Sequence, residues 1–155
     1  IAWGVTGPSG RGSGFSCDVR KHQPYSAYPL VQFEEKLDTR GDTFTRYRLR
    51  IEEMYESMHI IEQLIDNIPE GDYAVKMKGV VKLPEGEFYQ RVESARGEFG
   101  VYIVSDGKKN PYRVKFRSPG FSNLFALNKM ASGHKIADLV AIMSTLDLVI
   151  PDIDR

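Results

Sequence analysis

Few side chains in this sequence combine a reactive type with a telling position, and Asp147 is the foremost. It sits in the otherwise apolar stretch Met143, Ser144, Thr145, Leu146, Asp147, Leu148, Val149, Ile150, where an ionised carboxylate needs a partner or a purpose. Residue physics leaves two readings open: a functional acid, or a carboxylate spent on a helix-end hydrogen bond. The histidines, His22, His59 and His134, lie far apart, and none has a companion at a metal-ligand spacing. Cys17 is the single cysteine; alone it can neither close an internal disulfide nor build a zinc or iron–sulfur site. No metal site is therefore expected. His134 follows Gly133 at an expected helix start and reads as a cap or packing residue rather than a base. Glu52 with Glu53, and Asp152 with Asp154, are paired acids of the kind that usually face water. The glycine-rich run Gly10, Arg11, Gly12, Ser13, Gly14 lacks the lysine and the strand-to-helix context of a phosphate loop.

The elements that must position these residues fall into four segments. Residues 1–41 hold most of the structure breakers, yet Trp3, Phe15, Tyr25, Tyr28 and Phe33 are large groups that a free linker has no use for; the segment is expected to be irregular and docked. In residues 42–70, Phe44, Tyr47, Ile51, Met54, Met58, Ile61, Ile65 and Ile68 recur every three or four positions, which predicts one long helix over 43–68. Asp42 and Thr43 offer N-cap chemistry, and Pro69 and Gly71 end it. So long a stripe calls for long neighbours in a bundle, of which a 155-residue chain supplies few, or for a coiled coil as the lesser alternative. Residues 86–118 predict a β-hairpin, with arms at 98–105 and 112–117 and a third strand at 87–92. In the second arm Tyr112, Val114 and Phe116 would face the core, with Arg113, Lys115 and Arg117 outward. Residues 119–155 return to helical spacing: a short helix through Phe121, Leu124, Phe125 and Leu127, a second through Ile136, Leu139, Val140 and Met143, and a closing tail.

With 155 residues the chain can bury a core of one-domain size. Its 21 basic and 21 acidic residues cancel, which argues against a partner held by phosphate neutralisation, so no nucleic acid is expected. The longest apolar candidate for a membrane span, 136–150, falls short of roughly 20 residues and carries Asp138 and Asp147. With a start at Ile1 in glycine-rich sequence, the chain is expected to be a fragment of a longer gene product.

The glycine-rich opening carries a further signal. Gly4, Val5, Thr6, Gly7 and Pro8, then Arg11, Ser13, Gly14, Asp18, Arg20 and Lys21, resemble the pattern GVTGPxLRxSGxxxDLRK of the complex I D-subunit family, relatives of the nickel–iron hydrogenase large subunit. The likeness continues through Arg46, Arg50, Glu53 and Met54, through Pro84, Gly86, Tyr89, Glu93, Gly97 and Glu98, and through Pro119, Gly133, His134, Asp138, Asp147, Asp154 and Arg155. It implies the C-terminal part of a hydrogenase-large-subunit-like fold, mainly α with a small antiparallel β substructure. The hydrogenase relatives bind their metals with CxxC pairs, which this stretch lacks. In complex I the vacated metal cavity is understood to have become part of the quinone pocket.

On that resemblance the chain belongs to the quinone-reducing module of a proton-translocating NADH-quinone oxidoreductase, peripheral on the cytoplasmic face of a bacterial cell membrane. Quinone would be the substrate, with NAD and iron–sulfur clusters held by partner subunits and no cofactor on this fragment, which alone would be inactive. The expected partners are the cluster-bearing subunit of that module and the C subunit. The family's principal headgroup residues, a histidine and a tyrosine, belong to the N-terminal half and are not assigned to His22 or Tyr25. The resemblance carries over Asp147 and Val149 as quinone-binding, with Asp154 and Arg155 as cavity support. Asp147 could orient a neighbouring histidine or assist protonation, and Val149 would be an apolar wall. Departures are Gly10 for the usual leucine, Thr45 for an acidic residue, and Pro151 with Asp152 for the family's Gly-Glu. A proline there fixes the backbone and reshapes the local wall. Two alternatives remain: a complex-I-like dehydrogenase with another electron donor, and a non-catalytic scaffold.

Overall fold

The computed structural model describes residues 1–76, 79 and 81–154. Helix α1 (Gly7–Arg11), helix α2 (Val19–His22) and a 3-10 turn (Tyr28–Leu30) give the N-terminal segment its only regular structure among the described residues. The segment is nevertheless docked, as its aromatic content predicts. All five residues of α1 are buried. Asp18 caps α2 by accepting from the Arg20 N–H, and Glu35 accepts from the backbone N–H of Cys17 and Asp18 at 2.8 and 2.9 Å. Val31 and Phe33 form a small core with Ile60 of the long helix, and the Arg20 guanidinium lies 4.8 Å from the centre of the Phe33 ring. Trp3 is the exception, at 50% exposure.

The long helix is α3, Thr43–Ile65. Asp42 caps it, its carboxylate accepting from the Thr45 N–H at 2.6 Å. It stops three residues short of the expected 68, because Pro69 disfavours helical geometry at the preceding residue and Asp66 and Asn67 form a turn instead. The face of α3 turned to the rest of the chain is largely polar: Thr45, Arg46 and Leu49 are buried, with Ile60 further along. Its apolar stripe points away, with Phe44, Tyr47, Met54, Met58, Ile61 and Ile65 all about half exposed or more. Apolar surface on this scale drives association. The chain expressed alone is expected to self-associate, and sedimentation velocity giving a clean monomer at micromolar concentration would contradict this.

Three strands follow: β1 (Gly86–Ser94), β2 (Gly97–Ser105) and β3 (Arg113–Arg117), antiparallel in the order β1-β2-β3. The expected third strand is real and is longer than 87–92. A two-residue turn at 95–96 joins β1 to β2, with Ser94 opposite Gly97. Tyr112, expected to open the last arm, lies outside β3 and is exposed. Val114 and Phe116 share a face but stay 41% and 47% exposed, so this chain covers only half of the expected core face. Helices α4 (Pro119–Ala131), α5 (Ile136–Leu146) and α6 (Ile150–Ile153) complete the fold. The architecture is mainly helical with one small antiparallel sheet.

Candidate functional site

The C-terminal end of α5 collects polar contacts from three arginines. Asp147 is the cap residue there, with φ 54° and ψ 52°. This left-handed conformation is open to aspartate at a modest cost, and it turns the chain from α5 towards α6. Arg96, in the β1–β2 turn, donates from Nε to the Asp147 carbonyl at 2.9 Å and lies 3.2 Å from its carboxylate Oδ2. Arg50 of α3 donates from Nη2 to the Thr145 carbonyl at 3.0 Å, and its Nη1 lies 3.8 Å from Asp147 Oδ2. One turn earlier on α3, Arg46 donates from Nε to Thr145 Oγ1 at 3.2 Å and from Nη1 to the Gly41 carbonyl at 3.0 Å. Cations at a helix C-terminus meet the partial negative charge of its free carbonyls. Burial lowers the pKa of Arg46 and Arg50 from the ordinary arginine value, yet guanidinium remains a cation in protein interiors.

Beside this lies a second charge cluster, centred on Arg11. That side chain is 2% exposed and bridges two carboxylates, with Nε donating to Glu53 at 2.7 Å and Nη1 to Glu93 at 2.8 Å. The other Glu93 oxygen accepts from the Val19 N–H at 3.1 Å, and the Glu93 N–H donates to the Tyr25 hydroxyl at 3.1 Å. Burial raises the Glu93 carboxyl above the usual carboxylate range, with Arg11 working against it. A cavity of about 440 Å³ opens among Arg11, Arg20, Arg50, Glu53 and Glu93. Nearby, burial pushes the Cys17 thiol up to about 11, so it stays protonated and weakly nucleophilic at neutral pH.

Of the residues singled out in the sequence, Asp147 and Asp154 line two different hollows and Val149 lines neither. Asp147 lines one of about 350 Å³ with Val140, Met143, Ser144 and Leu148. Val149 is half-buried and caps the start of α6. Asp154, at the far end of α6, joins Ile153 in a different hollow of about 390 Å³ with Val114, Lys115, Phe116 and Phe121. Arg155 lies outside the described residues. Asp152, expected to face water, instead accepts from the Gly120 N–H at 2.8 Å and takes the Ser118 hydroxyl on its carbonyl, tying α6 to the start of α4. Pro151 sits in the first turn of α6, where a missing N–H costs nothing.

The three histidines stay apart: His22 pairs with Ser16 at 2.9 Å, His59 lies 4.0 Å from Glu56, and His134 is exposed between α4 and α5. Among the described residues no three His, Cys, Asp or Glu side chains gather as a metal site, and no helix is long and apolar enough to cross a membrane. Sequence reasoning misses the arginines around Asp147. For Arg46, Arg50 and Glu53 a signal exists, since their spacing of four and three puts them on one helical face. Arg96, in a two-residue turn, offers none.

Residues 1–83 and 73–155 match the family described as the respiratory-chain NADH dehydrogenase 49 kDa subunit. The C/D-type subunit of the NADH-quinone oxidoreductase of Phocaeicola vulgatus is 56% identical over all 155 residues, which make up 30% of that protein. The D-type subunit of the corresponding enzyme of Desulfotalea psychrophila is 49% identical over 99% of this chain and 41% of its own length. Among solved structures, a chain of an archaeal respiratory membrane complex, the membrane-bound sulfane sulfur reductase, superposes with a TM-score of 0.92 at 40% identity, covering all of this chain and 43% of that one. The chain thus spans between about a third and two-fifths of the length of these relatives. With the family match running from end to end, the chain belongs to the respiratory-chain NADH dehydrogenase 49 kDa subunit family.

Proposed function

We propose that this chain forms part of the quinone-reducing module of an NADH-quinone oxidoreductase, where Asp147 and Val149 contribute to the wall of the quinone cavity. The observation that carries this is the 56% and 49% identity, across 100% and 99% of this chain, with C/D-type and D-type subunits of NADH-quinone oxidoreductases. The geometry supports it locally: Asp147 is anchored on one side by Arg50 and Arg96 and is still 39% exposed at a hollow lined by Val140, Met143 and Leu148. A hollow of three apolar side chains with two polar groups, Ser144 and Asp147, suits a quinone headgroup. Electrons would arrive from an iron–sulfur cluster in a neighbouring subunit, with NAD bound further upstream. The chain itself would act by shaping the cavity and placing a carboxylate where a reduced quinone takes up protons. Asp154 and Arg155 would serve as cavity support. The neighbours would be the cluster-bearing subunit and a C subunit or C-like domain, the whole lying on the cytoplasmic face of the membrane. Alone, the chain would not turn over.

A second reading has its own observation. The sulfane sulfur reductase chain, 40% identical with a TM-score of 0.92, belongs to a complex whose named activity is not quinone reduction, which supports a complex-I-like enzyme with a different electron partner. Both readings are tested in the intact complex with Asp147→Asn and Val149→Met. Losing one charge-assisted contact is expected to lower NADH-to-quinone turnover about tenfold, while NADH oxidation by an artificial upstream acceptor stays unchanged. The bulkier methionine is expected to shift inhibitor sensitivity by about fivefold or more. Loss of both activities together would point to assembly, and an unmodified complex that does not reduce quinone would favour the second reading.

A further inference from the structure

An 11-residue helix such as α5 does not need three guanidiniums at its C-terminal end; one cap residue and water suffice for its last carbonyls. Arg46, Arg50 and Arg96 are 2%, 23% and 30% exposed, and withdrawing such groups from water is costly, the more so as the buried Arg50 Nε finds no hydrogen-bond partner among the described residues. Their geometry is that of a clamp. Arg96 reaches the carbonyl and the carboxylate of the same residue from one nitrogen, which fixes the Asp147 peptide and its side chain together. Arg50 spreads its two terminal nitrogens over the Thr145 carbonyl and Asp147 Oδ2, while Arg46 takes the Thr145 hydroxyl. The grips come from two independent elements, a long helix and a sheet turn. Both side-chain contacts to Asp147 fall on Oδ2, so the carboxylate is held at one oxygen while the residue still reaches the open hollow.

We propose that Arg46, Arg50 and Arg96 are positioning residues that set the place of Asp147 and Val149 relative to α3 and the sheet, and so set the shape of the quinone side of the cavity. This rests on the reading of Asp147 and Val149 given above. Arg50 spans two acceptors with two nitrogens of one rigid plane, and the Arg96 Nε is held at a fixed point of such a plane between a carbonyl and a carboxylate; a flexible ammonium offers neither. Arg50 also stands next to Glu53, which Arg11 holds in turn, so the clamp is braced against the neighbouring cluster.

The test uses the full-length subunit in its membrane complex, with Arg50→Gln, Arg96→Gln, Arg96→Lys, Asp147→Asn and the pair Arg96→Gln with Asp147→Asn. Three quantities are read: quinone KM and kcat, turnover with an upstream artificial acceptor, and hydrogen exchange of residues 147–153. Each glutamine variant is expected to raise quinone KM about tenfold or more through misplacement, to speed exchange in 147–153, and to leave the upstream rate unchanged. Lysine at 96 recovers only part of this, and Arg96→Gln costs less once Asp147 is already Asn, with only the contact to the backbone carbonyl left to lose. Full additivity in the pair, a parallel loss of the upstream rate, or unchanged exchange and KM would overturn the proposal. If Asp147→Asn leaves quinone kinetics untouched while Arg96→Gln still speeds exchange, the clamp stands and the quinone reading of Asp147 fails.

Discussion

Replacing Arg11 by methionine is expected to cost about 3–5 kcal/mol of stability, because it leaves two carboxylates without their shared cation in a buried place. Arg11 is 2% exposed, and its partners Glu53 and Glu93 are 19% and 4% exposed in their side chains. Each partner comes from a different element: Arg11 ends α1, Glu53 lies on α3 and Glu93 on β1. Losing the cation therefore loosens three elements at once. The sign of the pH dependence follows from Glu93. Burial already raises its folded pKa above the ordinary carboxylate value, with Arg11 opposing, and removing Arg11 raises it further. A carboxyl whose folded pKa exceeds its unfolded one binds more protons when folded, so stability falls as pH rises through that window. The Arg11→Met deficit is thus expected to shrink as pH falls from neutral towards the ordinary glutamate range. Adding Glu93→Gln is expected to recover part of it at neutral pH. Denaturant unfolding of the subunit at several pH values measures both, and a deficit independent of pH would show that Glu93 is not the strained partner.

How much of this is legible in the sequence depends on where the information is local. The start of α3, its Asp42 cap and most of its length follow from periodicity and one capping side chain, both confined to adjacent residues. The hairpin follows from alternation around a turn-rich segment, and even the third strand carries a trace of it. What α3 packs against does not follow. Periodicity marks an apolar stripe without saying which partner covers it, and here the chain's own body takes the face carrying Arg46 and Leu49. Asp147 stands out because a carboxylate in an apolar run is anomalous, and it does have partners. Those partners stand 97 and 51 positions away, at Arg50 and Arg96, a separation that no local pattern encodes. Asp152 departs from expectation for the same reason: its contact with Gly120 spans 32 positions, and alternate acids near a tail normally face water.

Gly7→Ala is expected to be the most damaging of the small substitutions, and its effect should reach the proposed site. Gly7 has φ +66°, and a Cβ there would lie 2.5 Å from the Arg96 carbonyl and 2.5 Å from Gly97 Cα. The opposing Gly97 has φ +130°, and its own Cβ would meet Thr6 Oγ1 at 2.5 Å. The start of α1 and the β1–β2 turn therefore touch backbone to backbone, a contact that only paired glycines permit. The cost combines left-handed strain of about 1–2 kcal/mol with overpacking of about 1–3 kcal/mol. Gly107→Ala separates the two contributions, since Gly107 has φ +74° but nothing within 4 Å of the added carbon; it should show the strain alone. Relief of the Gly7 clash requires the turn to move, and the turn carries Arg96, which grips Asp147. In the intact complex, Gly7→Ala is therefore expected to lower both melting temperature and quinone-side turnover, beyond any loss with the upstream acceptor. Equal melting shifts for the two alanine variants would mean that the backbone contact at the turn contributes nothing, and that Arg96 is held by other means.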